Sequence, residues 1–223
     1  MGSELSTAVP GTRKKRGEGH TRRDEILWAA KTLFLKEGYE ATTIRRIADV
    51  VGVSAPALYL YFRDKEAIML ALCDQTFGGL IERMATIEKE GLPPIERLRH
   101  CGESYVRFAL DNPQEYWLTF LSGNMPKHVK EGGGGHEPGP IDPNEQGAGS
   151  AIAFAKLMAM FRDIENAGMP LYYPVETAAE LVWMSLHGLV AALISRPEVP
   201  SARRDTLIAG MIDLAVRGVV RLS

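Results

Sequence analysis

The sequence predicts an all-α protein with an N-terminal three-helix domain and a larger C-terminal helical domain. Apolar residues recur at spacings of three and four from Thr21 almost to the C-terminus, which is the periodicity of amphipathic helices. No segment of useful length alternates apolar and polar residues as a half-buried strand does. About 45% of the 223 residues are apolar, so the chain can bury a sizeable core.

The first 20 residues are polar and basic, without apolar periodicity, and predict a disordered arm. The first helix is expected to begin at Thr21, which resembles a capping-box residue with Asp24 three positions later. It should end before Gly38, since glycine is the usual residue after a helix C-terminus.

Two short helices follow. Thr43 is the expected N-cap of the second helix, and Gly52 is expected to stop it. The third helix, at about 55–61, begins after Ser54, and Pro56 is tolerated in a first turn because N–H groups there have no intrahelical partner.

The tight turn between these two helices makes the pair a helix-turn-helix. Gly52 permits the turn, and Val53 is expected to fill the gap between the helices. Leu58 and Phe62, four residues apart, should then face inward. The second helix of such a motif enters the DNA major groove.

Asp64 is the expected cap of a longer helix that runs to about Glu90. Further helices are predicted at about 94–111, 113–122, 150–167, 175–195 and 201–221. The Gly/Pro-rich segment 122–150 predicts a mobile loop. The domains are therefore expected to be a basic arm (1–20), a helix-turn-helix domain (21–66) and a C-terminal domain (67–223).

Charge is distributed unevenly along the chain. Residues 1–66 hold 12 Lys or Arg against 9 Asp or Glu, and residues 67–223 hold 14 against 19, which suggests an anionic partner at the front only. Cys73 and Cys101 are expected to be buried, reduced thiols of a cytoplasmic protein. The apolar run 181–194 is short for a membrane span and contains His187, so we expect a buried helix and no membrane.

The segment "TTIRRIADVVGVSAPALYLYFRDKEAI" resembles the DNA-binding signature of TetR-family transcriptional repressors, and the resemblance extends from Thr21 to about Leu72. It implies an all-α homodimer. It also implies that Arg45 reaches a base edge. Tyr59, Tyr61 and Lys65 would then bind the DNA backbone. The implied DNA-binding residues are Thr43, Arg45, Ser54, Ala55, Pro56, Ala57, Tyr59, Tyr61 and Lys65. The basic run 13–16 either reaches a neighbouring groove or is a solvated tail.

The C-terminal half resembles a subclass in which Trp-x-x-x-His-Gly recurs on a late helix, here Trp183, His187 and Gly188. Its aromatic and Met residues exceed what a dimer seam needs, which favours a cavity for a small apolar or aromatic effector. Ordinary core packing remains the alternative for any one of them. The candidate ligand-binding residues are Tyr105, Phe108, Tyr116, Trp117, Phe120, Phe154, Met158, Phe161, Trp183, Met184 and His187.

The last two long helices are expected to form a dimer interface as a four-helix bundle with their symmetry mates. Val182 and Gly218 belong to the apolar residues that suggest it. The candidate interface residues are Leu181, Ser185, Gly188, Leu189, Ala192, Leu207, Met211 and Leu214.

These features predict a ligand-responsive repressor that binds a palindromic operator as a dimer. A DNA-binding regulator without a small-molecule ligand, or an activator, remains open. The five histidines show no metal-ligand spacing, and no nucleophile signature is present, so we expect neither an enzyme nor a cofactor.

Overall fold

The computed structural model describes residues 19–123, 147–198 and 203–221, with side chains from Arg22 onward. Within these ranges every regular element is helical, and the one β-type contact is an isolated bridge between Leu171 and Val220. The all-α prediction is therefore confirmed. The predicted arm residues 13–16 lie outside the described residues, as does 124–146 of the predicted loop.

The helices are α1 (Gly19–Glu37), α2 (Ile44–Val51), α3 (Ala55–Tyr59), α4 (Lys65–Glu88), α5 (Pro94–Asp111), α6 (Pro113–Tyr116), α7 (Gly149–Asn166), α8 (Val175–Ser195) and α9 (Arg204–Val219). A π-helical turn, Trp117–Leu121, follows α6 directly. The chain divides into an N-terminal unit that ends at Leu72 and a C-terminal unit that begins at Cys73, so the division falls inside α4.

The core of the N-terminal unit collects the apolar faces of its helices. Ile26 and Phe34 of α1 are at most 1% exposed, as is Ile47 of α2. Leu58 and Phe62 are 0% and 3% exposed, which confirms that they face inward. Their burial fixes the orientation of α3 and leaves its opposite side to solvent.

Two predicted boundaries in this unit shift. Helix α1 begins at Gly19, two residues before Thr21, because a cap-like residue is also tolerated inside a first turn. Helix α3 ends at Tyr59 rather than at 61, and the chain then tightens as Tyr61 N–H donates to Leu58 O at 2.9 Å. Asp64 is the cap of α4, as predicted, since its Oδ1 accepts from Ala67 N–H at 2.7 Å.

The core of the C-terminal unit lies between α5, α7, α8 and α9. Val106, Phe161, Ile164 and Val190, which come from three of these helices, are fully buried. Tyr116 at the end of α6 is also fully buried. Cys73 and Cys101 are free, buried thiols, as predicted.

The segment predicted as one helix at 113–122 is interrupted. After α6 the chain widens into the π-helical turn, in which Ser122 N–H donates to Trp117 O at 2.8 Å. Turns of this kind accommodate one extra residue and are frequent at functional sites. Here the turn brings Phe120 to 5.3 Å from Phe77, measured between ring centroids.

Helix α8 has two unlike faces. By length and composition it is the one helix in the described ranges that could cross a membrane. Its inner face, which includes Val182 and Leu186, is buried in the core, but Leu181 and Met184 are 40% and 56% exposed. The prediction of a buried helix is thus right for one face only. Val182, which the sequence suggested for the dimer seam, belongs to the core.

Candidate DNA-binding face and C-terminal cavity

Short-range capping bonds build the helix-turn-helix. Thr43 Oγ1 accepts from Arg46 N–H at 3.1 Å to start α2, and Ser54 Oγ accepts from Ala57 N–H at 3.3 Å to start α3. Between them Gly52 has a φ of 74°, and the N–H of Val53 donates to Ala48 O at 3.0 Å. A positive φ favours glycine, so the turn depends on Gly52.

The outer side of the motif presents most of the predicted DNA-binding residues to solvent. Tyr59 and Tyr61 are 53% and 40% exposed. Leu60 between them is 85% exposed and was not predicted, since it lies just after α3 where helical periodicity no longer applies. Among the other candidates, Thr43, Arg45, Ser54 and Pro56 are exposed, and Ala55 and Ala57 are half-buried.

The two adjacent arginines of α2 differ in their partners. Arg46 Nη2 lies 3.0 Å from Glu37 Oε1, and this hydrogen bond raises the pKa of the guanidinium. Arg45 is exposed and has no ion pair within the described part of the chain. Arg45 is therefore the arginine of this pair whose charge is available to a partner.

Lys65 has an intramolecular role that the sequence did not reveal. Its Nζ donates to Tyr39 O at 2.6 Å and Glu40 O at 3.4 Å, and it lies 4.1 Å from the centroid of the Tyr39 ring. These contacts tie the first turn of α4 to the α1–α2 connection, 25 residues earlier in the chain. An ammonium has three N–H donors, so one remains for a phosphate.

A cavity of about 350 Å³ lies inside the C-terminal unit. Its walls come from α4, α5, the π-helical turn, α7 and α8. Five of the predicted ligand-binding residues line it, namely Tyr105, Phe120, Phe154, Trp183 and His187. Most of the remaining wall is apolar, so the cavity suits a largely apolar molecule.

The other six predicted ligand-binding residues do not line the cavity. Tyr116 lies behind the wall, and Phe108, Met158 and Phe161 are buried in the surrounding core, while Trp117 and Met184 are 40% and 56% exposed. Helical spacing identifies an apolar residue, but it does not tell whether that residue meets a core, a cavity or solvent.

The α4 contribution to the cavity was missed. Phe77, Leu80 and Met84 line one wall, and their spacing of three and four was a usable signal. Arg83 also lines the cavity although it is exposed, so it stands where the cavity meets solvent. Its guanidinium carbon lies 5.3 Å from the Phe108 ring centroid.

Tyr105, Tyr116 and His187 are hydrogen-bonded in a row. Tyr105 Oη and Tyr116 Oη are 2.6 Å apart, and Tyr116 Oη is 2.6 Å from His187 Nδ1. The Trp183 ring stacks on His187 at 5.2 Å between centroids. Burial raises the pKa of both tyrosines and lowers the pKa of His187, so all three side chains are neutral at pH 7.

The predicted dimer residues lie on the outer sides of α8 and α9. Leu214 is 67% and Leu181 40% exposed. Gly188 and Ala192 are also exposed, and Ser185, Leu189, Leu207 and Met211 are half-buried. A Cβ placed on Gly188 or Gly218 meets nothing within 4 Å, so both leave open space on this surface.

Two family models match the chain. The model described as "Bacterial regulatory proteins, tetR family" matches residues 26–72. The model described as "Tetracyclin repressor-like, C-terminal domain" matches residues 98–215, which is more than half of the chain. The first match covers the helix-turn-helix, and the second covers most of the cavity wall.

Curated relatives are similar over about half of the chain. YerO of Bacillus subtilis, an HTH-type transcriptional regulator, is 39% identical over 107 residues, which are 47% of this chain and 36% of YerO. The transcriptional activator FasR of Mycolicibacterium smegmatis is 33% identical over 49% of both chains. The transcriptional repressor AcnR of Corynebacterium efficiens is 33% identical over 44% of this chain and 45% of AcnR. The chain thus spans half or less of the length of these relatives.

Solved structures share the fold over most of the chain. The TetR-family regulator PfmR of Thermus thermophilus superposes with a TM-score of 0.61 at 26% identity, covering 86% of this chain and 97% of that one. A TetR-family regulator of a Shewanella species gives a TM-score of 0.69 at 16% identity, covering 90% and 99%. Since the models cover both units and the fold agrees, the chain belongs to the TetR family of bacterial transcriptional regulators.

Proposed function

We propose that the chain is a ligand-responsive repressor that binds a near-palindromic operator as a homodimer and leaves it when a small, largely apolar effector binds. The observation that carries this proposal is the cavity of about 350 Å³ in the C-terminal unit of a chain whose N-terminal unit is a DNA-binding helix-turn-helix. A regulator that only bound DNA would have no need of such a cavity.

For operator binding, we assign the reading of bases to Arg45 and to residues 54–57 at the start of α3. Tyr59 and Tyr61 are assigned to the DNA backbone. Arg45 is exposed and without an ion pair among the described residues, and arginine pairs well with guanine O6 and N7. Tyr59 and Tyr61 are exposed hydroxyl donors, suited to phosphate oxygens. Mutation of a base-reading residue should affect specificity, and mutation of a backbone-binding residue should not.

This division of roles is tested by fluorescence anisotropy on an operator fragment selected from random DNA. Arg45→Ala should weaken operator binding by about 1–3 kcal/mol and relax the preference at one base pair per half-site. Tyr59→Phe should lower the affinity for operator DNA and for random DNA to a similar degree. If Arg45→Ala weakens both DNAs equally, Arg45 does not read a base.

Dimerisation is supported by the exposed apolar surface of α8 and α9. Leu181 on α8 and Leu214 on α9 are large apolar residues left in solvent. The same two helices carry Gly188 and Gly218, at which a Cβ would meet nothing within 4 Å. One recognition helix reads few base pairs, so two copies related by a two-fold axis would give a useful operator length.

Release requires that the effector prefer the conformation that does not bind DNA. Helix α4 is the element that both sites share. It begins at Lys65 in the N-terminal unit, and its later residues Phe77, Leu80 and Arg83 line the cavity. A ligand in the cavity therefore contacts the same helix that carries Lys65 in its first turn.

The release step is tested by reciprocity. A compound found by its effect on the melting temperature is titrated into the full-length protein with and without operator DNA. If the compound is an inducer, operator DNA must lower the affinity of the protein for the compound. The factor must equal the one by which the compound lowers the affinity of the protein for operator DNA. Equal affinity in both titrations would reject that compound as an inducer, and a broad apolar library without any binder would favour a regulator that has no ligand.

Activation is the second candidate, because one relative is named a transcriptional activator and another a repressor. In vitro transcription from a promoter that carries the operator separates the two. Added protein lowers the transcript if the chain is a repressor and raises it if the chain is an activator.

A further inference from the structure

The hydrogen-bonded row in the cavity wall has a hidden middle and two ends that meet the cavity. Tyr105 and His187 line the cavity, whereas Tyr116 does not and is fully buried. The row therefore connects two residues of the cavity wall through a third that does not line the cavity. This connection restricts which hydrogen bonds the two ends can offer at the same time.

A proton count gives that restriction. Each tyrosine hydroxyl and a neutral imidazole has one proton to donate. If Tyr116 donates to His187 Nδ1, Tyr105 donates to Tyr116, and the ends present a lone pair on Tyr105 and the Nε2–H of His187. If instead His187 Nδ1–H donates to Tyr116, Tyr116 donates to Tyr105, and the ends present the Tyr105 O–H and the Nε2 lone pair of His187.

Both proton orders offer a ligand one donor and one acceptor. The Tyr105 hydroxyl bonds Tyr116 and keeps further hydrogen-bonding capacity, since a hydroxyl has one proton and two lone pairs. No described group bonds Nε2 of His187. In both proton arrangements, one of Tyr105 and His187 can therefore donate a hydrogen bond to a ligand while the other accepts one.

We propose that this row recognises a neutral polar group that both donates and accepts a hydrogen bond, such as an alcohol or a primary amide, on an otherwise apolar ligand. The inference rests on the proposed function, since it assumes that the cavity is the effector site. It narrows the effector from any apolar molecule to one with such a group.

An anionic group fits this end of the cavity poorly. A carboxylate only accepts hydrogen bonds, and the two ends both donate only when His187 takes up a proton, which burial opposes. The titratable groups that share the cavity with His187 are Tyr105, the Cys101 thiol and Arg83, with Tyr116 behind the wall. Arg83 is the cation among the described lining residues, and it stands at the solvent side. An acid would therefore be bound by Arg83, away from the row.

Four probes of similar size test the proposal, namely octanol, octanamide, methyl heptyl ether and octanoate. Their binding to the full-length protein is measured by calorimetry. Octanol should bind about three- to tenfold more tightly than the ether, because the ether can use only one end of the row and one net hydrogen bond is lost. In Tyr105→Phe and in His187→Leu this ratio should fall toward one. Tyr172→Phe, at an exposed tyrosine of the same unit that does not line the cavity, should keep it.

Several outcomes overturn the proposal. An alcohol-to-ether ratio that persists in both cavity variants would show that the row does not recognise the alcohol. Octanoate that binds more tightly than octanol and loses this advantage in Tyr105→Phe or His187→Leu would show that the row prefers an anion, which also overturns the proposal. If the substituted proteins do not fold, the contact can still be tested by NMR on the native protein. Saturating octanol must shift the imidazole nitrogen resonances of His187, and unchanged resonances reject the contact.

The two proposals fail in different ways. If the probes show the predicted ratio but leave operator affinity unchanged, the recognition stands and release by this ligand class fails. If all probes bind alike, only the recognition fails. If no probe binds, the cavity is not an apolar ligand site and both proposals fail.

Discussion

Gly149→Ala is expected to destabilise the C-terminal unit, although alanine is the better helix former. Gly149 is the first residue of α7. A Cβ at this position would lie 2.7 Å from Phe77 Cβ and 3.2 Å from Asp74 Oδ1. Phe77 Cβ is attached directly to the α4 backbone, so a side-chain rotation cannot relieve the contact and one helix must move.

The magnitude follows from two opposing contributions. Forcing a methyl group into a packed site costs about 1–3 kcal/mol. Alanine recovers up to about 1 kcal/mol in a helix interior, and less in the first turn. The displacement also weakens the bond from Gly147 N–H to Asp74 Oδ2, which is 2.9 Å long. We expect a net loss of about 1–2 kcal/mol in the free energy of unfolding.

Urea unfolding followed by tryptophan fluorescence measures this loss. A Trp28→Phe background removes the tryptophan of the N-terminal unit and leaves Trp117 and Trp183 as reporters. With a slope of about 2 kcal/mol per molar urea, the midpoint should fall by about 0.5–1 M. Gly78→Ala is the matched control, because a Cβ there meets nothing within 4 Å, and it should raise the midpoint. An unchanged or higher midpoint for Gly149→Ala would refute the packing argument.

The remaining predictions concern both units and their assembly. Lys65→Met removes the bonds to the Tyr39 and Glu40 carbonyls and should cost the N-terminal unit about 1 kcal/mol; a melt followed at Trp28 that matches the native one would contradict this. Because burial lowers the pKa of His187 below its ordinary 6.5, the unfolded chain binds that proton more readily, and stability should fall as pH drops below 6.5. His187→Gln should flatten this part of the stability curve, and an already flat native curve would show that the pKa is not shifted. Leu214→Glu, at a 67% exposed position on α9, should give monomers in sedimentation, and persistent dimers would place the interface elsewhere.

Local signals predicted the helix-turn-helix well. Thr43, Ser54 and Asp64 each cap a helix through a side chain that bonds an N–H three residues later, so all of the required information lies within one turn. The same holds for Gly52, whose backbone conformation is decided by its own lack of a side chain. Interactions of this range can be read directly from a sequence.

Contacts between distant residues could not be predicted in this way. Lys65 bonds a carbonyl 26 residues away, and nothing next to either residue indicates the pair. Trp183 and Met184 are neighbours in sequence, yet one lines the cavity and the other is 56% exposed. Their difference depends on which helices pack against α8, and that is a property of the whole unit.

The burial of both thiols has a consequence for redox chemistry. Burial raises the pKa of Cys73 to about 12 and that of Cys101 to about 11. At pH 7 only on the order of one Cys101 side chain in ten thousand is then a thiolate, and the thiolate is the nucleophile that attacks peroxides and disulfides. The two thiols of the folded chain should therefore react slowly with peroxides and disulfides, and unfolding should make both thiols much more reactive.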